Sequence, residues 1–357
     1  MNERLKNPMT EGNTQYTPKY CVWELTLACN ARCVHCGSSA GAKRTDELST
    51  TEALNLIEQL AEAGVETITF SGGEPLLRSD WRTLAEAAVG KGIRIELISN
   101  GLLAAKMADD IAAAGFFGVT FSVDGPPDVH DLLRGTPGAL DRLLDGVAAL
   151  KKRGVRIGAA TQVNQHNLQH ISNIHQLLLD NGFDGWQIQL TMPLGMAAHQ
   201  DGAICLSPKD LLILEQRILE VKDQSPLFIQ TADNLGYMGR YEPRLRSGTA
   251  AREQFFTGCQ AGLQVVGITS DGGIRGCLSQ PDCFNEGSVR DDFFVDVWNR
   301  EGAFAYNRHF KIEQLTGACA DCPFKSICRA GCKSLAHASG GILSENHYCL
   351  RLQAHLP

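Results

Sequence analysis

Long apolar runs are missing from this chain: no stretch of its 357 residues approaches the ~20 that a membrane-spanning helix requires. An integral helical membrane protein is not expected. Met1–Lys19 is polar and lacks an apolar stretch followed by a small-residue cleavage site, so it does not read as a signal peptide. Positive charge is short as well. Lys and Arg number 33 against 40 Asp and Glu, a net charge of −7, which argues against general nucleic-acid binding because that calls for a basic face. No internal repeat and no low-complexity segment occurs. The rest of the composition, 43% apolar and 20% charged, is that of an ordinary globular chain able to bury a sizeable core. At roughly 150 residues per domain, the length suggests two domains or one large one with an extension.

What the chain does have is thirteen cysteines. Without an export signal the expected compartment is the reducing cytoplasm, where clustered cysteines more often mean metal binding or catalysis than disulfides. Cys29, Cys33 and Cys36 lie near the start, with Cys21 just upstream; eight more fall in the last hundred residues, and Cys205 stands alone. That distribution implies an N-terminal domain with one site and a C-terminal domain with its own. The expected division is an extension over 1–19, a core over 20–225, a less regular bridge over 226–254 and a second domain over 255–357.

The core alternates strand and helix signals. Val22–Leu27, Thr67–Phe70, Ile93–Ile98, Val119–Ser122, Val155–Val163 and Trp186–Leu190 read as short apolar or alternating strands. Ser49 and Glu52 form a capping box ahead of an apolar stripe that Gly64 closes, and Ser207-Pro208 opens a further helix after the sixth strand. Six βα units in succession predict an α/β fold, a partial (β/α)6 barrel of the TIM type, with ligands at the C-terminal strand ends. One connection breaks the rhythm: Ala28–Leu48 has no helix or strand pattern and carries the first three cysteines. A connection that long is usually functional or disordered, and the cysteines favour function.

Cys29-x3-Cys33-x2-Cys36 supplies three thiolates on one loop. Three can hold three irons of a cubane and leave the fourth open; a structural zinc site would need four closed ligands, with His35 as the candidate fourth. This motif, after the first strand of a partial barrel, resembles the radical S-adenosylmethionine (radical SAM) enzymes. The resemblance implies a [4Fe-4S] cluster whose open iron binds S-adenosylmethionine through its amino and carboxylate groups. An electron from that cluster then yields methionine and a 5′-deoxyadenosyl radical. Supporting motifs recur in order. Ser71-Gly72-Gly73-Glu74-Pro75 is similar to the family's GGE segment, with Glu74 as charge partner for the methionine ammonium. Asn100 ends strand three, and Ser122-Val-Asp124-Gly125 with Arg134 looks like the strand-four segment, Ser122 and Arg134 suiting the carboxylate. Gln162 and Asn164 on strand five, and Gln187 and Gln189 on strand six, are either satisfied rim groups or contacts to ribose and adenine.

The C-terminal pattern, Cys259-x12-Gly272-x4-Cys277 followed by Cys319-x2-Cys322-x5-Cys328-x3-Cys332 and Cys349, resembles the seven-cysteine SPASM extension of radical SAM proteins. That resemblance implies two auxiliary iron–sulfur clusters in a small, loop-rich domain. Cys319, Cys322, Cys328 and Cys349 go to the distal cluster, and Cys259, Cys277 and Cys332 to the proximal one. Cys283 is either the fourth proximal ligand or a small residue in the Pro281-Asp282 turn. Leu278 stands where sulfatase-maturing relatives carry an acidic base, so any base comes from elsewhere, with the bridge around Tyr237–Glu253 or the peptide itself as candidates. Taken together, the resemblance implies an enzyme abstracting hydrogen from a peptide and crosslinking a ribosomally made precursor. The alternatives are a small metabolite or cofactor precursor as substrate, or a non-catalytic electron carrier. Expected partners are the precursor peptide, a separate peptide-recognition protein and a flavodoxin- or ferredoxin-type electron donor.

Overall fold

A computed structural model describes residues 16–199, 203–247 and 254–356. Six parallel strands follow one another in chain order: β1 (Tyr20–Thr26), β2 (Thr67–Gly72), β3 (Arg94–Ser99), β4 (Gly118–Ser122), β5 (Ile157–Val163) and β6 (Gly185–Leu190). Their apolar character has a physical source. A parallel sheet is covered on both faces, and Trp23, Phe70, Leu97, Phe121 and Ile188 are all buried. The capping box forms as expected: Ser49 Oγ accepts from Glu52 N at 3.3 Å, and Glu52 Oε2 accepts from Ser49 N at 2.8 Å. The helix Thr50–Glu62 starts there.

The bridge holds only short elements among its turns: Phe228–Thr231 forms β7, parallel to β6, and Glu242–Arg246 is helical. One expectation changes. The helix after Ser207-Pro208 begins only at Asp210, because the Asp210 carboxylate takes Ser207 N (2.7 Å) and holds that residue outside. Tyr241 is exposed, and Glu253 lies outside the described residues.

The second domain joins the same sheet. β8 (Val265–Ile268) pairs in parallel with β1, then β9 (Gly273–Arg275) and β10 (Gly287–Ser288) continue antiparallel, so the order reads β10-β9-β8-β1-β2-β3-β4-β5-β6-β7. Beyond β10 come short helices, among them Phe294–Asn299, Ala305–Arg308, Lys325–Cys328 and Lys333–Gly340. One apolar cluster runs from the strands into Phe294, Trp298, Phe304 and Leu335. Polar ties reinforce it. Phe294 N donates to Gln59 Oε1 at 2.7 Å, and Arg290 Nε to Glu52 Oε1 at 2.8 Å, which helps hold the Glu52 carboxyl down at about 2. No helix among the described residues is long and apolar enough to cross a membrane.

Candidate functional site

The cysteine loop leaves β1 and is pinned at its root and its tip. Cys29 N donates to Gly41 O and Gly41 N to Leu27 O, each at 3.0 Å, while the Glu47 carboxylate gathers Thr26 Oγ1 and Leu27 N at 2.9 Å. At the tip, Arg32 N and Val34 N donate to Arg134 O (3.1 Å) and Leu133 O (3.0 Å), the last turn of the helix Pro127–Arg134. β2 docks against the root. Gly73 N donates to Thr26 O and Glu74 N to Ala28 O, both at 2.8 Å. A Cβ on Gly73 would lie 2.2 Å from Ala28 O, so glycine is required there by close backbone approach.

The three thiols line a cavity of about 300 Å³ together with Gly72, Gly73, Asn100, Ser122, Arg134, Gln162, Gln187 and Gln189. Each sulfur has a nearby nitrogen: Ala31 N and Asn100 Nδ2 reach Cys29 Sγ (3.5 and 3.7 Å), Ala40 N reaches Cys36 Sγ (3.3 Å), and Arg134 Nη1 reaches Cys33 Sγ (3.7 Å). Burial pushes the Cys29 and Cys33 thiols up, against which the Arg134 charge lowers Cys33.

Two residues expected to contact a ligand sit behind the wall. Glu74 is fully buried, with Oε2 accepting from Asn100 N (2.8 Å) and Oε1 from Leu76 N (3.2 Å) and Ser99 Oγ (3.0 Å). Its carboxyl is pushed up to about 7 by that burial. Asp124 is likewise fully buried. Oδ1 accepts from Gln162 N (2.9 Å), while Oδ2 faces His35 Nε2 (3.1 Å) and Arg134 Nη2. Burial works against its ionisation, but Arg134 and His35 outweigh it and hold the carboxyl far below the usual range. Arg134 is thus committed to Asp124 and Cys33 within the protein. Asn164 is buried in a loop tie with Asn167 and Thr191 and does not line the cavity, whereas the paired Gln162 and Gln189 do.

A larger cavity of about 600 Å³ adjoins the first and shares Ser38, Gly72, Gln162, Gln189, Leu278 and Ser279 with it. The turn after Cys277 therefore roofs both. Its wall holds two charge pairs unforeseen from sequence: Glu24 with Arg44 (3.1 Å) and Asp282 with Arg275. Glu24 Oε1 also accepts from Ser270 Oγ at 2.8 Å. The signal was there to find, since a glutamate inside an otherwise apolar buried strand is a misfit that asks for a partner.

The C-terminal thiols lie in two places. Cys319, Cys322, Cys328 and Cys349 line a cavity of about 230 Å³ under Tyr237 and Met238. The thiols whose charge acts on Cys332 are Cys259 and Cys277. Backbone N–H groups of Lys333 and Ala261 reach the Cys259 sulfur, and that of Leu335 reaches Cys332. Cys283 is exposed in the turn Asp282–Phe284. Tyr237 does not line the 600 Å³ cavity and is no base for it: it is buried, its hydroxyl accepts from Cys332 N at 2.9 Å, and burial pushes its phenol well above the usual range. Among the described residues no three His, Cys, Asp or Glu side chains converge on a point as ligands of one ion do. A cubane spreads its thiolates over separate corners and asks for no such convergence.

A barrel with three thiols on the β1 loop, joined to a small cysteine-rich domain, is the arrangement of a radical SAM enzyme with auxiliary iron–sulfur clusters. The chain belongs to that superfamily: residues 23–178 match the radical SAM superfamily model, and residues 259–323 match the SPASM iron–sulfur cluster-binding domain. Its cofactors are accordingly S-adenosylmethionine and iron–sulfur clusters. It is 30% identical over 344 residues to the AdoMet-dependent heme synthase of Methanosarcina barkeri, covering 93% of this chain and 96% of that one. Similarity to the mycofactocin maturase MftC of Mycobacterium tuberculosis is 28% over 330 residues, or 90% and 80% of the two chains. The fold is shared with Streptococcus suis SuiB bound to its precursor peptide SuiA (TM-score 0.71, 16% identity, 94% of this chain and 76% of that one).

Proposed function

We propose that this radical SAM enzyme acts on a peptide and closes a crosslink in it by a net two-electron oxidation. The charge balance of the larger cavity carries the reading. Glu24 offsets Arg44 and Asp282 offsets Arg275, while Gln162 and Gln189 offer amides. A peptide segment presents amides and little net charge, which such a wall satisfies. In this reading Cys29, Cys33 and Cys36 hold the cluster that binds S-adenosylmethionine, with Gly72, Gly73, Asn100, Ser122, Gln162 and Gln189 around the ligand. Arg134 borders the ligand and Cys33, and Glu74 and Asp124 support the site from behind. Bound there, S-adenosylmethionine and its cluster would supply a 5′-deoxyadenosyl radical to remove one hydrogen atom, and the auxiliary clusters would accept the second electron as the second hydrogen leaves as a proton to solvent. A reduced flavodoxin or ferredoxin is the donor, and leader recognition falls to a separate protein or to the barrel surface.

A second reading takes a heme precursor as substrate, supported by the relative from Methanosarcina barkeri that matches nearly end to end. The polycarboxylate of such a precursor would call for an excess of cations that the wall lacks. Reconstituted, reduced enzyme with S-adenosylmethionine is to be offered peptides encoded beside its gene and, separately, heme precursors. A peptide product lighter by two hydrogens, with one 5′-deoxyadenosine per event, is expected. Turnover of the tetrapyrrole with every peptide refused would replace this reading by the second.

A further inference from the structure

The run Cys328-Arg329-Ala330-Gly331-Cys332 links a thiol of one C-terminal group to a thiol of the other. Arg329, Ala330 and Gly331 are all left-handed, with φ of 52°, 63° and 72°. Two consecutive non-glycine residues there are held at an energetic cost, so the surrounding structure must specify this turn. It brings Arg329 inside, 7% exposed, and the next helix opens with Lys333, only 1% exposed. Neither has a carboxylate partner among the described residues. Lys333 Nζ donates to Arg329 O (2.7 Å) and Leu343 O (2.9 Å) and lies 4.4 Å from the Phe310 ring centre. Arg329 Nη2 reaches Cys259 O at 3.3 Å, and its Nε is buried with no hydrogen-bond partner.

A buried cation costs several kcal/mol unless an anion offsets it, and carbonyl dipoles and a ring face do so only in part. Arg329 follows Cys328 and Lys333 follows Cys332 in the chain, and the anion-forming groups acting on them are thiols with one phenol: Cys259, Cys328 and Cys319 on Lys333, and Cys259, Tyr16 and Cys328 on Arg329. Both cysteine groups are represented. Ligating thiolates are deprotonated, and a cluster held by them is anionic, more so when reduced.

We propose that Arg329 and Lys333 are a buried cationic wedge between the two auxiliary clusters, compensating their charge and raising their reduction potentials. A fixed positive charge in a low-dielectric interior stabilises the reduced, more negative state of a neighbouring cluster. The direction suits clusters that take an electron from a substrate, and the two side chains act as positioning charges that touch no substrate. The inference rests on the thiols as cluster ligands and is independent of which substrate is turned over.

The test is a potentiometric titration followed by electron paramagnetic resonance on full-length C29A/C33A/C36A protein, in which only the auxiliary clusters report. Iron analysis of that protein tests the ligand assignment separately. Lys333→Met and Arg329→Gln are expected to move the auxiliary midpoint potentials to more negative values, while Lys333→Arg stays near the parent. Unchanged potentials in both neutral variants at full iron content overturn the proposal. Should Lys333→Met shed its iron, retention in Lys333→Arg supports a role for charge. Loss from Lys333→Arg as well overturns it, because shape rather than charge would then hold the clusters.

Discussion

The two cysteine-bearing regions solve one problem by different means. In the barrel, thiols sit on a long loop that borrows order from regular elements: β2, the strand-three end at Asn100 and the helix end at Arg134 each supply a contact. The buried guanidinium there has its carboxylate, Arg134 against Asp124, and the Glu74 carboxyl is held by N–H and O–H donors. In the C-terminal domain the elements are short, the thiols are spaced by left-handed turns, and two buried cations lack carboxylate partners among the described residues. A site scaffolded by a sheet can be built without its cofactor. A site whose charges are completed by the cofactor depends on it for stability.

Metal removal breaks the comparison most sharply. The C29A/C33A/C36A protein is expected to lose all 5′-deoxyadenosine formation yet keep about eight irons, those of two [4Fe-4S] clusters. Stripping the remaining iron should then lower the melting temperature far more than the three substitutions did; equal shifts would dissolve the contrast. Next in size is Asp124→Asn, which leaves Arg134 buried without its carboxylate and should cost about 3–5 kcal/mol in a denaturant titration. A loss near zero would show that the Cys33 sulfur already compensates Arg134.

Glycine substitutions sharpen the comparison within each region. Gly73→Ala places a methyl group 2.2 Å from Ala28 O, and Gly331→Ala places one 2.3 Å from the Tyr237 ring at a φ of 72°. Each should cost about 1–3 kcal/mol. The first should weaken S-adenosylmethionine cleavage with auxiliary iron intact, and the second the reverse, by iron analysis and product assay. The smallest effect lies between the two regions, at Glu215, whose carboxyl burial, with a lesser push from Glu242, raises to about 7. A folded-state value above the unfolded 4.5 means the native protein holds the proton more tightly, so stability falls as pH rises from 4.5 through 7. Glu215→Gln should therefore match the parent at pH 4 and exceed it by about 1 kcal/mol at pH 8, solvent still screening part of the carboxylate charge. Parallel stability curves would refute that sign.

Much of the barrel is legible because its signals are local. Alternating βα periods, the Ser49–Glu52 box and the cysteine spacings are properties of neighbouring residues, and the six strands fall where those patterns place them. β7 escaped because Phe228–Thr231 is four residues long and gains its strand identity from pairing with β6, not from its own pattern. Glu24 and Arg44 escaped for the same kind of reason, since their pairing and the Ser270 contact join segments 20 and 246 residues apart.

The sequence by itself determined which thiols belong together in spacing, that strands alternate with helices, and that no run is long and apolar enough to cross a membrane as a helix. Periodicity and short-range spacing carry that information. Only the tertiary structure decided which polar residues face the cavity and which serve behind it. Glu74 and Asp124 turn away because backbone N–H groups and Arg134 reach their oxygens first, while Gln162 and Gln189 face inward on paired strands. It also decided that Lys333 and Arg329 are interior charges. A lysine beside a cysteine is an ordinary surface residue in sequence, and becomes a buried cation only when a left-handed turn and a second set of thiols close around it.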